Sequence, residues 1–256
     1  MFRSFSGSDA LHSYLFAQEP DGGATVPVKD GMQRISLPDT SNFQTGSLVA
    51  SRFNFAGSDR ILDIVVATVA LVFFAPLMFF IVLAIKLSSR GPVLFKQERL
   101  GRGGQTFSCY KFRTMRIDSE AILDELLATD PVARAEWDRD QKLRNDPRIL
   151  SVGGLLRRTS LDEFPQFLNV LMGDMSIVGP RPIVAAEAVR YRRYINDYFA
   201  VRPGITGLWQ VSGRNLTTYR RRVACDVLYV RAKSARNDVR IMAMTVPTVL
   251  LARGAY

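Results

Sequence analysis

From Ile64 to Ile85 the chain runs for 22 residues without a charged side chain, then returns abruptly to a polar, basic pattern. At ~1.5 Å per residue a helix of that length matches the ~30 Å apolar core of a bilayer. The pattern therefore predicts a membrane helix over 58–88. Pro76 stands in its middle, where it removes a helical hydrogen bond and favours a kink. Basic residues flank both ends: Arg52 and Arg60 before it, then Lys86, Arg90, Lys96, Arg99 and Arg102 after it. Positive charge tends to stay cytoplasmic, so a helix bent at Pro76 that enters and leaves by one face satisfies both flanks. A straight span with a tolerated proline is the alternative. Residues 1–57 are rich in Ser, Gly, Asp and Thr with no sustained period, and predict a disordered tail. No secretory signal pattern opens the chain.

Beyond the apolar run, two short strands around Val93–Arg99 and Thr106–Phe112 flank the turn-prone GRGG, predicting a β-hairpin. Asp118 to Leu143 reads as helix broken near TDP. Leu155 to Met175 reads as a second helix that ends in the loop MSIVGPRP. Ala185 to Tyr198 is an amphipathic, Arg- and Tyr-rich helix, and VRPGITGLWQVSGR a loop punctuated by Gly and Pro. Helix resumes through TYRRRVACDVLYVRAK. The closing apolar stretch carries Pro247 and predicts a helix lying on the membrane surface. The expected fold class is α+β: a mostly helical catalytic domain over 89–256 with a small β-hairpin, a Pro-kinked re-entrant helix and interfacial amphipathic helices.

Charge narrows the partners. A net charge of +10 and a pI near 10.0 call for an anionic one: nucleic acid, an acidic membrane face or phosphorylated substrates. Nucleic acid is the poor second, because it gives no use to the apolar run. Cys109 and Cys225 are far apart and in no metal-binding spacing, which argues against a zinc site or disulfide framework and fits a reducing compartment. The single histidine, His12, lies in the tail, so a histidine base is excluded from the expected chemistry and carboxylates must carry it.

Asp162 and Glu163 are the strongest candidates. Ser160-Leu161-Asp162-Glu163 matches a capping box, in which Ser160 and Glu163 fix a helix start. That structural role leaves Asp162 free to face a cleft. Arg157 and Arg158 lie just upstream, and Lys111 and Arg113 are placed to converge from the hairpin. A carboxylate among cations can attack phosphorus, provided the electrophile's charge is neutralised. Arg181, between two prolines, and Arg202 and Arg214, flanking a glycine-rich loop, are further phosphate candidates.

KFRTM, RRTSLDEFPQFLNVLMGDMSIVGPRP and RPGITGLWQVSGR, in that order behind a Pro-containing apolar helix, resemble the bacterial sugar transferases, the monotopic polyprenyl-phosphate phosphoglycosyl transferases. The resemblance covers about residues 55–256. It implies a short form of catalytic domain plus one membrane segment on the cytoplasmic face of the bacterial inner membrane. It implies that Asp162 is the nucleophile on the sugar-bearing phosphorus of a UDP-sugar, releasing UMP and forming an aspartyl-phosphosugar. Undecaprenyl phosphate then accepts the sugar phosphate, the first step of exopolysaccharide synthesis. Glu163 would support Asp162 or share with it a Mg²⁺ ion; Lys111, Arg157, Arg181 and Arg214 match basic positions of the family motifs. The hexose, galactose or glucose, is the expected donor sugar, with a UDP-N-acetylamino sugar as the other option. Anionic lipids and other exopolysaccharide-assembly enzymes are the remaining partners implied. Two departures stand out: Ala75-Pro76 replaces the family's Ser-Pro pair, and DVLYVRAKSARNDVRI is basic and lacks a family tryptophan. The rival reading from another class is a non-catalytic membrane scaffold that binds anionic headgroups.

Overall fold

Twenty-two uncharged residues do form one helix. The computed structural model describes residues 57–140, 143–213 and 218–250, so the expected disordered tail lies outside the described residues except at Gly57. Helix α1, Gly57–Ser88, leads into the antiparallel hairpin β1, Leu94–Leu100, and β2, Thr106–Phe112. Helices α2, Ser119–Thr129, and α3, Pro131–Asp140, follow, with Asp130 capping α3 by accepting from the Val132 and Ala133 amides. Then come α4, Gly153–Thr159, α5, Gln166–Met172, and strand β3, Ser176–Val178. Short helices α6, Ala185–Ala188, and α7, Ile195–Phe199, precede strand β4, Gly204–Thr206, and helix α8, Leu208–Val211. Two longer helices close the described chain: α9, Tyr219–Arg231, and α10, Ala235–Leu250. The fold is α+β and mostly helical, as the pattern predicts.

Three expectations change. The predicted helix over Leu155–Met175 is broken, because Ser160 adopts a left-handed conformation (φ 59°, ψ 16°) and ends α4. A 3₁₀ turn, Leu161–Glu163, and Pro165 then intervene before α5. The capping box is not formed: the Ser160 side chain caps nothing, and the Glu163 carboxylate accepts a bond from Lys111 instead. The predicted helix over Ala185–Tyr198 is likewise split, by Arg192 at φ 49° and ψ −131°. Finally, MSIVGPRP and VRPGITG each hide a strand. β3 and β4 pair in parallel, Ser176 with Gly204 and Val178 with Thr206.

Helix α1 runs continuously through Pro76 and is held to the rest of the fold at both ends. Near its start, Asp63 is buried and accepts from Ser176 Oγ and the Ile177 amide, both at 2.9 Å. Arg60 donates to the carbonyls of Val170 and Leu171, at the C-terminal end of α5 where a cation suits the helix dipole. Near its end, Ile81 and Ile85 are buried with Phe112, Leu150 and Leu156. The opposite face carries exposed Val65, Val69, Val72, Phe73, Phe80 and Leu83, and only 11% of the most apolar 18-residue window is buried. A core helix of a water-soluble domain would bury that face, so it marks a membrane-associated surface. The two anchored ends of the helix, 22 residues or about 33 Å apart, rest on the same domain, and the helix is unbroken at Pro76, where the sequence predicts a kink.

Asp63→Ala strands a buried hydroxyl and a buried amide, each costing about 1–3 kcal/mol. The Ala variant should therefore melt well below the wild type, while Asp63→Asn, which keeps an acceptor oxygen, should lose much less. Equal melting temperatures for the two variants would contradict this.

Helix α10 packs Ile241 into the core with Val178 and joins β4 through a 2.7 Å contact between the Thr245 and Thr206 hydroxyls. Val239 and Val246 face outward.

Candidate active site

The hairpin register builds one wall. Side chains alternate along a strand, and opposite residues share a face. Gln97 pairs with Cys109 and Phe95 with Lys111, so Arg99, Cys109 and Lys111 point to one side. Phe112 turns to the other, against Ile81 and Ile85 of α1. Asn169, fully buried on α5, locks this wall to the segment carrying the acids: it accepts from the Tyr110 amide at 2.9 Å and donates to Ser108 O at 2.7 Å.

The left-handed turn at Ser160 brings both acids to Lys111. Lys111 Nζ lies 2.7 Å from Glu163 Oε1 and 3.9 Å from Asp162 Oδ2. Burial pushes the Asp162 carboxyl up to about 6, against the pull of Lys111 and with a push from the Glu163 charge; Arg157 also pulls it down. Its side chain retains 13% exposure, so a ligand can reach it. Arg157, in the last turn of α4, is oriented by a 2.9 Å bond from its Nε to Thr114 Oγ1.

A small, half-open cleft lies beside this trio. Lys111, Glu163, Gln166 and Arg181 line it with Arg99, Cys109 and Gln210. Asp162 sits at its edge rather than in its lining. Arg181 is presented between Pro180, which is fully buried, and Pro182. The cleft's cysteine is no rival nucleophile, because burial raises the Cys109 thiol in spite of Lys111 and holds it protonated.

The structure thus brings together Asp162, Glu163, Lys111, Arg157 and Arg181, and leaves two expected residues elsewhere. Arg113 is buried and donates to the carbonyls of Arg90 and Ser89, fastening the end of α1. Arg202 donates from Nε to Gly173 O at 2.7 Å, at the end of α5. Arg214 lies outside the described residues. Arg99 and Gln166 were missed. The signal for Arg99 was present in the hairpin, since its parity matches that of Lys111 across the register; Gln166, 3% exposed, follows Pro165 with no local mark.

Two carboxylates with no third acid, histidine or cysteine grouped beside them among the described residues make an incomplete cage for a metal. They do suit Mg²⁺, which is held by one or two carboxylates together with substrate phosphate oxygens.

Comparison with known proteins follows the same residues. The model of the bacterial sugar transferase family matches residues 55–252. An undecaprenyl-phosphate galactose phosphotransferase of Salmonella typhimurium is 49% identical over 77% of this chain and 41% of its own length. A UDP-galactose-lipid carrier transferase of Erwinia amylovora is 47% identical over the same shares. The exopolysaccharide production protein ExoY of Rhizobium meliloti is 46% identical over 77% of this chain and 87% of its own length. The chain therefore spans about two fifths of the first two relatives and most of the third.

Proposed function

Because the chain belongs to the bacterial sugar transferase family, we propose that it transfers a sugar 1-phosphate from a UDP-sugar to a polyprenyl phosphate at a membrane surface. The observation that carries this reading is the shared cation: one lysine holds two adjacent carboxylates at the mouth of an arginine-rich cleft.

Asp162 attacks the phosphorus that bears the sugar. The bond from that phosphorus to the bridging oxygen breaks, and UMP departs with the electron pair. An oxygen of polyprenyl phosphate then attacks the same phosphorus and frees the Asp162 carboxylate, giving polyprenyl-diphosphate sugar. Lys111 and Arg181 neutralise the phosphate oxygens, where fixed cations stabilise developing charge without reorganising. Glu163 holds Lys111 against Asp162 and keeps the nucleophile oriented. Asp162 and Glu163, with diphosphate oxygens of the donor, would hold Mg²⁺, whose charge when bound offsets that of the reacting phosphate. Exhaustive chelation should cut turnover by roughly 100-fold or more, with recovery on adding Mg²⁺; full activity under chelation would remove the metal from this account.

The donor sugar is a hexose, with galactose first in view of the names of the two most alike relatives cited. The exopolysaccharide name of the third supports a role in polysaccharide production, of which this transfer would be the first step. The apolar helix and basic surroundings fit the cytoplasmic face of the inner membrane, where the UDP-sugar is made available. The test uses the full chain in lipid with undecaprenyl phosphate and, in separate arms, UDP-galactose, UDP-glucose and a UDP-N-acetylamino sugar. UMP should be released in a hexose arm, with labelled sugar phosphate retained on the protein when the acceptor is withheld. Release in no arm would overturn the proposal.

Acid pH should slow the first half-reaction. The Asp162 carboxyl, raised to about 6, is protonated below that value and loses its nucleophilic form. The rate should fall about tenfold per pH unit on the acid side. Glu163→Gln, by removing a neighbouring negative charge, should move the midpoint downward.

A further inference from the structure

Buried polar atoms without partners are rare and each calls for an explanation. Among the described residues, five of the six such side-chain atoms sit on four neighbouring residues of α8 and the start of α9: Trp209 Nε1, Gln210 Oε1, Tyr219 Oη, and Arg222 Nε and Nη2. Trp209 is only 6% exposed and the Arg222 side chain 12%. The Arg222 guanidinium lies 4.9 Å from the Trp209 ring centre and 5.1 Å from that of Tyr219. Among the described residues its ion pair is with Glu187, at 3.9 Å through Nη1, and Arg99 claims the same acid at 3.7 Å.

This cluster adjoins the cleft. Gln210 lines that cleft, and Arg181 reaches over the other end of the cluster, 5.9 Å from the Trp209 ring centre. Gln210 Nε2 donates to Ile205 O at 3.0 Å, which commits the amide nitrogen and leaves the oxygen as a fixed acceptor. The free set therefore comprises guanidinium and indole N–H donors, a phenol and one amide acceptor. Arg222, Arg181 and Arg99 outnumber the acids that face them, Glu187 and the buried Asp226, which favours an anionic ligand over a neutral hexose. A uridine monophosphate unit answers it: phosphate oxygens for Arg222, carbonyl oxygens for the indole and phenol, and the imide N–H of uracil for Gln210.

We propose that Arg222, Trp209, Tyr219 and Gln210 form the subsite for the nucleoside-monophosphate half of the donor, with Arg222 stacked on the indole to meet the leaving phosphate. This deepens the proposed function and rests on its donor class. The four residues take the departing group while Lys111 and Asp162 deal with the sugar-bearing phosphorus.

The experiment measures UMP binding to the full chain in lipid, without turnover, for wild type, Arg222→Gln, Arg222→Lys and Tyr219→Phe. Arg222→Gln should weaken UMP about 10- to 100-fold, the size expected when charge-assisted hydrogen bonds are lost. Tyr219→Phe, which deletes one oxygen and preserves the ring packing, should weaken it about 3- to 10-fold. Arg222→Lys should fall between wild type and Arg222→Gln. Inhibition of turnover by hexose 1-phosphate should not change in the Tyr219→Phe variant. Unchanged UMP binding in both Arg222→Gln and Tyr219→Phe would overturn the subsite, as would a selective loss of hexose 1-phosphate inhibition. A wild type that binds UMP through Arg222 yet transfers no sugar phosphate would overturn the proposed function and leave the subsite standing. Normal turnover with Arg222-independent UMP binding would do the reverse.

Discussion

Asp162→Asn should abolish transfer, lowering turnover by roughly 10³- to 10⁶-fold, the range seen when a covalent nucleophile is removed. Asparagine preserves the shape of the side chain but removes the charge that attacks phosphorus. The fold should not suffer. Burial already disfavours the ionised Asp162 carboxyl, so a neutral isostere removes a cost, and Lys111 retains its 2.7 Å bond to Glu163. Activity and melting temperature should therefore part company: activity lost, melting temperature equal or higher. Measuring both excludes unfolding as the cause. Undiminished turnover would sink the nucleophile assignment and return attention to the scaffold reading, in which Asp162 is dispensable.

Gly204→Ala should be the most disruptive single methyl in the molecule's centre. A Cβ there would lie 2.0 Å from the Gly179 nitrogen and 2.6 Å from Thr206 O, both backbone atoms with no freedom to rotate away. The crossing is tied by Gly179 N to Thr206 O at 2.9 Å and Gly204 N to Pro180 O at 2.8 Å. Forcing it apart should cost about 3 kcal/mol, at the upper end for overpacking. Arg181 follows Pro180 directly, so the same displacement should move the arginine proposed to bind the donor's phosphate. A lower melting temperature together with a raised KM for the UDP-sugar is expected. A variant with wild-type values for both would show that the crossing yields more easily than its contacts imply.

Features written in local periodicity were legible in the sequence. The hairpin was placed within a residue of its observed strands, and the apolar run gave its helix, because alternation and long uncharged stretches depend on neighbours alone. Asp162, Glu163 and Lys111 were legible because residue type and spacing restrict what chemistry they can do. What failed depended on distant partners. Nothing adjacent to Arg113 shows that carbonyls at 89 and 90 will occupy its guanidinium, and nothing near Arg202 announces the end of α5. Strands of three residues, such as β3 and β4, are too short to display a period and exist only as a pair. The turn at Ser160 contradicted a good capping motif because bringing both acids to Lys111 requires the left-handed conformation that ends α4. In the sequence Arg222 is only one basic residue of a helix through TYRRRVACDVLYVRAK, since nothing local reveals that Trp209 and Tyr219 enclose it.

The bond from Ser176 to Asp63 spans 113 residues, and it sets an order of events during synthesis. Asp63 leaves the ribosome at the head of an apolar segment, while the hydroxyl and amide that satisfy it have yet to be made. At 5–20 residues per second the wait is roughly 6 to 23 s. Throughout that interval the head of the segment carries an acid without those partners, and a charged group there resists being drawn into hydrocarbon. The seat of the helix's first turns is therefore completed only when strand β3 emerges, so its docking is a consequence of finishing the domain rather than its starting condition.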